Sequence, residues 1–341
     1  MKKSTLIYIT YLISLVILTV FLSIKIISNK HEFKVIGYHS RVISLNFSGC
    51  PCKEIGVGFP ACPSLFQKKS ENPLLHSELR PNYTQIYDGT WVCESPTTIK
   101  INSYGFRDYE YSLEKPSNTI RIVAVGDSHT FGLGVELEDT YPKVLEKRLN
   151  ERNDKKKYEV LNFGVPAYDL NEKIEVLKSK ALNFSPDIII FQYTGDDILF
   201  NMELQEKIRK MEGELTQKLR RELNLEEKTL LQRTIREESL KKIDGQKQQE
   251  LIERGFERLA SILPSNIKLI ILAIHTPELQ MAIFPKIVEK NHWYIIDTGI
   301  LYSQYSKKDL ELDLKDNHLN PFGYRLISEK IYNLLVEENI L

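Results

Sequence analysis

The apolar run Thr119–Val125 stops abruptly at Gly126-Asp127-Ser128-His129. A serine there is either a turn residue or a nucleophile presented at the end of a strand. A serine hydroxyl is weak until a neighbouring base takes its proton. An imidazole that does so needs a carboxylate to orient it and to stabilise its charged form. Both residue types occur late in the chain, where "DLKDNHLNP" holds Asp313, Asp316 and His318. Two other apolar runs end in polar groups: one at Asn162-Phe163-Gly164, one at Gly195-Asp196-Asp197. Of the remaining histidines, His275 ends an apolar run, where a satisfied core histidine is the plain reading. His31, His39, His76 and His292 match no motif. No ligand set for a catalytic metal is present. "GDSHTFGLG" lacks the Lys of a phosphate-binding loop. No cofactor is expected.

The elements that must position these residues show in the pattern of apolar runs. "TIRIVAVGD", "YEVLNFG", "DIIIFQYTG", "IKLIILAIH" and "WYIIDT" are short and continuous, as suits strands buried on both faces. Helix-like segments separate them: "YPKVLEKRLNER", "NEKIEVLKSKALN", "ELQMAIFPKIVEKN" and "PFGYRLISEKIYNLLVEEN". This alternation argues a parallel sheet covered on both sides. In such sheets ligands bind outside the carboxyl ends of the strands, where the polar groups above fall. Asn320 and Pro321 are suited to cap and open the last helix, which places His318 on the loop that feeds it. Residues 202 to about 262, rich in Lys, Glu, Arg, Gln and Leu, read as charged helices inserted over the sheet's edge, with a break near Ile243-Asp244-Gly245. They are either a solvated hairpin or a lid beside the site.

Taken in this order, "GDSHTFG", "NFGVPAY", "TGDDI" and "DNHLNPFGY" resemble the motifs of the SGNH (GDSL) hydrolase family. The likeness covers roughly residues 119–341. It implies a three-layer α/β/α sandwich, flavodoxin-like, around a parallel five-stranded sheet. It also implies a serine esterase or deacylase that forms an acyl-serine intermediate. By this resemblance Ser128 is the nucleophile and His318 its base. The family's Asp usually lies three residues before the His, where this chain has Lys315. Asp316 is then the first choice for the orienting carboxylate and Asp313 the reserve. The resemblance assigns the oxyanion hole to the backbone N–H of Ser128, the N–H of Gly164 and the third-motif position. That position is Asp196 here, not Asn. An ionised Asp would repel an oxyanion. Either another group such as Asn201 donates, or Asp196 stays protonated by burial, or the protein is weakly active or inactive. His129, in place of a usual apolar residue, reads as a packed or solvent-facing neighbour; by the resemblance, "DSH" also occurs in acyltransferase members and favours that alternative slightly. The implied substrate is an ester-bearing small molecule or glycan, with O-acetyl on a surface glycan as the candidate. The alternatives are an O-acyltransferase using the same pair, and a degenerate member that binds without catalysis.

The chain has 341 residues, with 46 Lys plus Arg balancing 46 Asp plus Glu, and 42% hydrophobic residues. This neutrality gives no electrostatic case for a nucleic-acid partner. Leu6–Ile24 carries no charge, and about 20 apolar residues span a bilayer as a helix. Residues 1–30 are therefore expected to be a single-pass membrane anchor. Lysines flank both its ends, so the positive-inside rule gives no clean orientation. Cys50, Cys52, Cys62 and Cys93 follow the anchor and none comes later. Such clustering suits disulfides in an oxidising compartment, with reduced or metal-bound thiols as the alternative. The catalytic domain is accordingly expected outside the cytoplasm. Residues 31–118 read as a small, irregular, partly β module that extends the main domain's packing.

Overall fold

The computed structural model describes residues 66–87, 96–152, 154–200, 243–313 and 316–341. The uncharged stretch Leu6–Ile24, all four cysteines, Asn201 and most of the charged segment lie outside the described residues. Among the described residues no helix is long and apolar enough to cross a membrane.

Five strands form the central sheet: β5 (Thr119–Gly126), β6 (Lys157–Gly164), β7 (Ile188–Thr194), β8 (Lys268–Ile274) and β9 (Tyr294–Asp297). Their order is β6-β5-β7-β8-β9 and every pairing is parallel. The expected sheet is thus present. Alternation of side chains along each strand divides the core in two. Val123, Val125, Ile189, Phe191, Leu269 and Ile271 face one layer. Ile122, Ala124, Ile188, Ile190, Ile270 and Leu272 face the other. The first layer is built from α3 (Leu170–Ser179), α4 (Gly245–Ile262) and α6 (Phe284–Asn291). The second is built from α2 (Tyr141–Asn150) and α9 (Pro321–Glu337). Asn320 caps α9 by accepting from the Gly323 N–H at 2.9 Å.

Two expectations change. The stretch Gly245–Ile262 is not part of a solvated insertion. It is one helix capped by Asp244, and Ile252, Phe256 and Leu259 bury against the sheet. The physical reason is topological: parallel β7 and β8 need a crossover, and a helix supplies it. The segment around His318 is also not a plain loop. β10 (Glu311–Asp313) and β11 (Asp316–Leu319) pair antiparallel, so His318 rides on a strand.

The residues ahead of the sheet share its core. β1 (Gln67–Lys69) pairs with β2 (Ser77–Leu79), and β3 (Tyr83–Tyr87) with β4 (Thr97–Ile101). Phe66, Leu79, Ile99 and Phe106 pack into the first layer. The lead-in then does two further jobs with adjacent residues. Arg107, 1% exposed, donates to the carbonyls of Phe131, Gly132, Val135 and Thr98 at 2.5–3.2 Å. Asp108 accepts from the Asn162 N–H at 2.6 Å. β6 is an edge strand, and an uncovered edge is a template for unwanted pairing. Two more of its outward N–H groups are closed from α2: Val160 by Glu146 at 2.6 Å and Tyr158 by Asn150 at 3.0 Å.

Arg107→Met would strand carbonyls that have lost their donor, each buried one costing about 1–3 kcal/mol. We expect at least about 3 kcal/mol less unfolding free energy by urea denaturation. A loss under about 1 kcal/mol would mean that these carbonyls find other donors.

Candidate active site

The Ser128 position is made where β5 runs out. Gly126 leaves no room for a side chain: a Cβ there would lie 2.0 Å from Thr130 Oγ1 and 2.3 Å from Gln192 Oε1. Asp127 follows as the cap of the short helix α1 (Ser128–Phe131), its Oδ1 accepting from the His129 N–H at 2.8 Å. Gly132 closes α1 in the left-handed region, at φ 79°. Ser128 therefore sits at the first position of a tightly bounded turn at the carboxyl edge of the sheet.

His318 reaches it from β11. His318 Nε2 lies 2.7 Å from Ser128 Oγ. With its proton on Nδ1, the neutral imidazole accepts the serine O–H at Nε2, which is the arrangement a general base needs. The structure thus joins two residues 190 positions apart. The side chains of Asp313 and Asp316 lie outside the described residues; their backbones pair across the hairpin that carries His318.

Beneath Ser128 lies a buried charge network. Lys173 on α3 donates to Asp127 Oδ2 at 2.8 Å and to both oxygens of Asp197 at 2.7 Å. Gln192 and Thr194 also donate to Asp127 Oδ2, at 3.1 and 3.2 Å. The Thr194 hydroxyl lies 3.0 Å from Asp197 Oδ1 as well. Burial works to raise the Asp127 carboxyl, but Lys173 and the bonds it accepts hold it below the usual carboxylate range. Asp197 is raised to about 8 by burial and the neighbouring Asp127 and Asp196 charges, against the pull of Lys173.

The other expected site residues fall as follows. Gly164 does not offer an open N–H, because that group donates to Asn162 Oδ1 at 2.9 Å. Its role in packing is clear: a Cβ would lie 2.1 Å from Phe131 N, so only glycine lets β6 approach α1. Asn162 also donates to the Thr130 carbonyl at 2.8 Å, tying β6 to the same helix. The oxyanion role expected of Gly164 is corrected on this ground. A few residues on, Ala167 holds φ 68°, a strained setting for a residue with a Cβ and a common feature of functional turns. Asp196 is half-buried just past β7, close enough for its charge to act on Asp197 and His275.

Two histidines gather around His318. His129 is 4% exposed and stacks on the His318 ring at 5.0 Å and 26°. It is a packed neighbour. Its ring also lies 5.3 Å from that of His275. Among the described residues no group of His, Cys, Asp or Glu could hold a metal ion.

No protein-family profile matches the chain, and no curated protein does. Solved structures do. A lipase/acylhydrolase from Enterococcus faecalis is 14% identical, with 64% of this chain and 96% of that chain covered at a TM-score of 0.43. A Clostridium thermocellum family 3 carbohydrate esterase is 16% identical, with coverages of 64% and 96% and a TM-score of 0.42. An acetyl xylan esterase is 17% identical, with 63% and 100% covered and a TM-score of 0.41.

Removing Lys173 would take the cation from the buried Asp127 carboxylate and from Asp197 beside it. Breaking such a pair costs about 3–5 kcal/mol, so Lys173→Met is expected to lose that much in chemical denaturation. A near-neutral result would show that the carboxylates lose their charge freely. His275 gives a pH signature. Burial, the largest effect, holds it at about 4, below its ordinary 6.5. Its folded pKa is depressed, so the stability tied to its neutral form is complete above about pH 6.5 and is lost as pH falls to about 4. The loss is at most about 3 kcal/mol. His275→Gln should flatten stability by that amount across the window; an unchanged slope would reject the assignment.

Proposed function

We propose that this chain is a serine esterase of the SGNH type, working through an acyl-Ser128 intermediate. The observation that carries the reading is the 2.7 Å contact between Ser128 Oγ and His318 Nε2 at the carboxyl edge of a parallel sheet. The order of the four motifs along the chain supports it. His318 takes the Ser128 proton as Oγ attacks the ester carbonyl carbon. The tetrahedral intermediate carries its negative charge on the former carbonyl oxygen. As the C–O bond to the alcohol breaks, His318 returns the proton to the leaving oxygen. Water, deprotonated by the same imidazole, then cleaves the acyl-serine and releases the acid.

The N–H of Ser128, in the first turn of α1 where helices leave donors without internal partners, suits the oxyanion. Ala167, in its left-handed turn after β6, suits a second donor better than Gly164. Asp316 is proposed as the carboxylate that orients His318, with Asp313 in reserve. An O-acetyl group on a surface glycan is the proposed substrate, reached by a catalytic domain held outside the cytoplasm by the N-terminal anchor. A sugar hydroxyl in place of water would turn the same intermediate into an acyl donor. His129 does not argue for that route, since its ring is buried against His318.

Two measurements test the reading. A fluorophosphonate should label the full chain at Ser128, and Ser128→Ala should abolish both labelling and acetate release from a model acetyl ester. His318→Ala should come within about tenfold of that loss. Full turnover in either variant would reject the pair. Asp196→Asn should raise the rate, since it exchanges a charge that opposes the oxyanion for a donor, and one such donor is worth about 2.7–4 kcal/mol. A slower variant would assign the carboxyl group a specific role of its own.

A further inference from the structure

The geometry points to His275 as a positioning residue for His318: its Nε2–H grips the Asn317 carbonyl and fixes the strand from which the base reaches Ser128. The inference rests on the esterase reading above. His275 Nε2 lies 2.9 Å from the Asn317 oxygen. A carbonyl can only accept, so this contact requires the tautomer with the proton on Nε2. Asn317 directly precedes His318. A shift of the Asn317 peptide therefore moves the imidazole against Ser128, and misplacement on the ångström scale costs on the order of a hundredfold in rate.

Three further observations agree. His275 stands one residue past β8 at φ 48°, a backbone setting that is costly for a residue with a Cβ. The surrounding contacts must hold that setting. Tyr302, on α7 (Gly299–Gln304), places its hydroxyl 3.3 Å from His275 Nε2 and donates to Glu311 Oε1 at 3.0 Å. Glu311 is paired with Leu319 across the hairpin and lies 3.1 Å from Lys307 on α8 (Lys307–Leu310). One chain of contacts thus runs from β8 through His275 to β11, and from α7 through Glu311 to β10. The groups facing His275 are His129 from α1, His318 from β11, Tyr302 from α7, Lys307 from α8, Glu311 from β10 and Asp196 from the end of β7. His275 touches neither Ser128 nor the reacting atoms by this account; it acts through the backbone of β11.

The test compares His275→Ala and His275→Gln in the full chain. Gln keeps an N–H donor on a side chain of similar reach. The Ala variant should lose on the order of a hundredfold in kcat on p-nitrophenyl acetate, with KM changed less than about threefold. Its rate of fluorophosphonate labelling should fall in parallel, and Gln should restore at least tenfold of the loss. An NMR titration of the His318 ring reads the same effect without turnover: its midpoint should move by half a pH unit or more in the Ala variant and by less in the Gln variant. A folded His275→Ala protein with unchanged His318 titration overturns the proposal. So does equal impairment of the Ala and Gln variants, which would mark a merely structural role. Wild-type protein that neither turns over nor labels, while the His318 midpoint still moves in His275→Ala, would remove the esterase reading and leave the positioning role standing.

Discussion

One buried ammonium organises the centre of this molecule. Lys173 meets Asp127 and Asp197 with no exposure of its own, and buried ions are tolerated only when paired and hydrogen-bonded. Asp127 stands immediately before Ser128, so the pairing fixes the Ser128 backbone as well as a charge. One oxygen of Asp127 caps α1; the other collects Lys173, Gln192 and Thr194. The ends of β5 and β7 and the face of α3 are therefore held in one register. Swapping such a cluster for apolar groups is often neutral for stability. Its contribution here is direction: the hydroxyl of Ser128 is set by bonds whose geometry admits little play.

The lead-in completes the same frame from the other side. Arg107 and Asp108 are neighbours, yet they close two different structures. Arg107 collects the carbonyls at the end of α1, and Asp108 closes the open edge of β6. Asn162 then joins that edge back to α1 through Thr130. The segment before the sheet is thus part of the mounting of Ser128, which explains why its apolar residues share the sheet's core.

The sheet was legible in the sequence because β5 to β8 are buried on both faces and so read as unbroken apolar runs. Ser128 and His318 were legible because their motifs lie where such strands and the last helix begin or end. What escaped did so for physical reasons. Lys173 lies in "NEKIEVLKSK", where a lysine on an amphipathic helix looks like a solvated face; only its two carboxylate partners, far off in the chain, reveal that it is buried. Gly164 carried a motif signal but serves close packing, since the choice between an open N–H and one spent on Asn162 depends on a side-chain bond. The hairpin β10–β11 is only three and four residues long, too short for period-two alternation to show. The helix Gly245–Ile262 was hidden by its charge: many of its side chains are exposed Lys, Glu and Gln, and its few core contacts are spaced at Ile252, Phe256 and Leu259.

The two halves of the proposed catalytic pair are held in different ways. Ser128 is locked by a sheet, a cap and a buried salt bridge. His318 comes from a two-stranded hairpin, and isolated hairpins are marginal in water, so its position depends on side-chain contacts. Those contacts are aromatic as well as polar. The His129 ring lies 5.0 Å from His318, and the His275 ring lies 5.3 Å from His129. Two positive charges 5 Å apart repel by about 3 kcal/mol at an effective dielectric near 20. In the proposed mechanism His318 takes up a proton, and a charge on a neighbouring ring would oppose that step. Burial keeps His275 neutral down to about pH 4. The same burial that makes His275 a poor base makes it a safe neighbour, since it can hold the Asn317 carbonyl without competing for the proton that His318 would carry in the proposed mechanism.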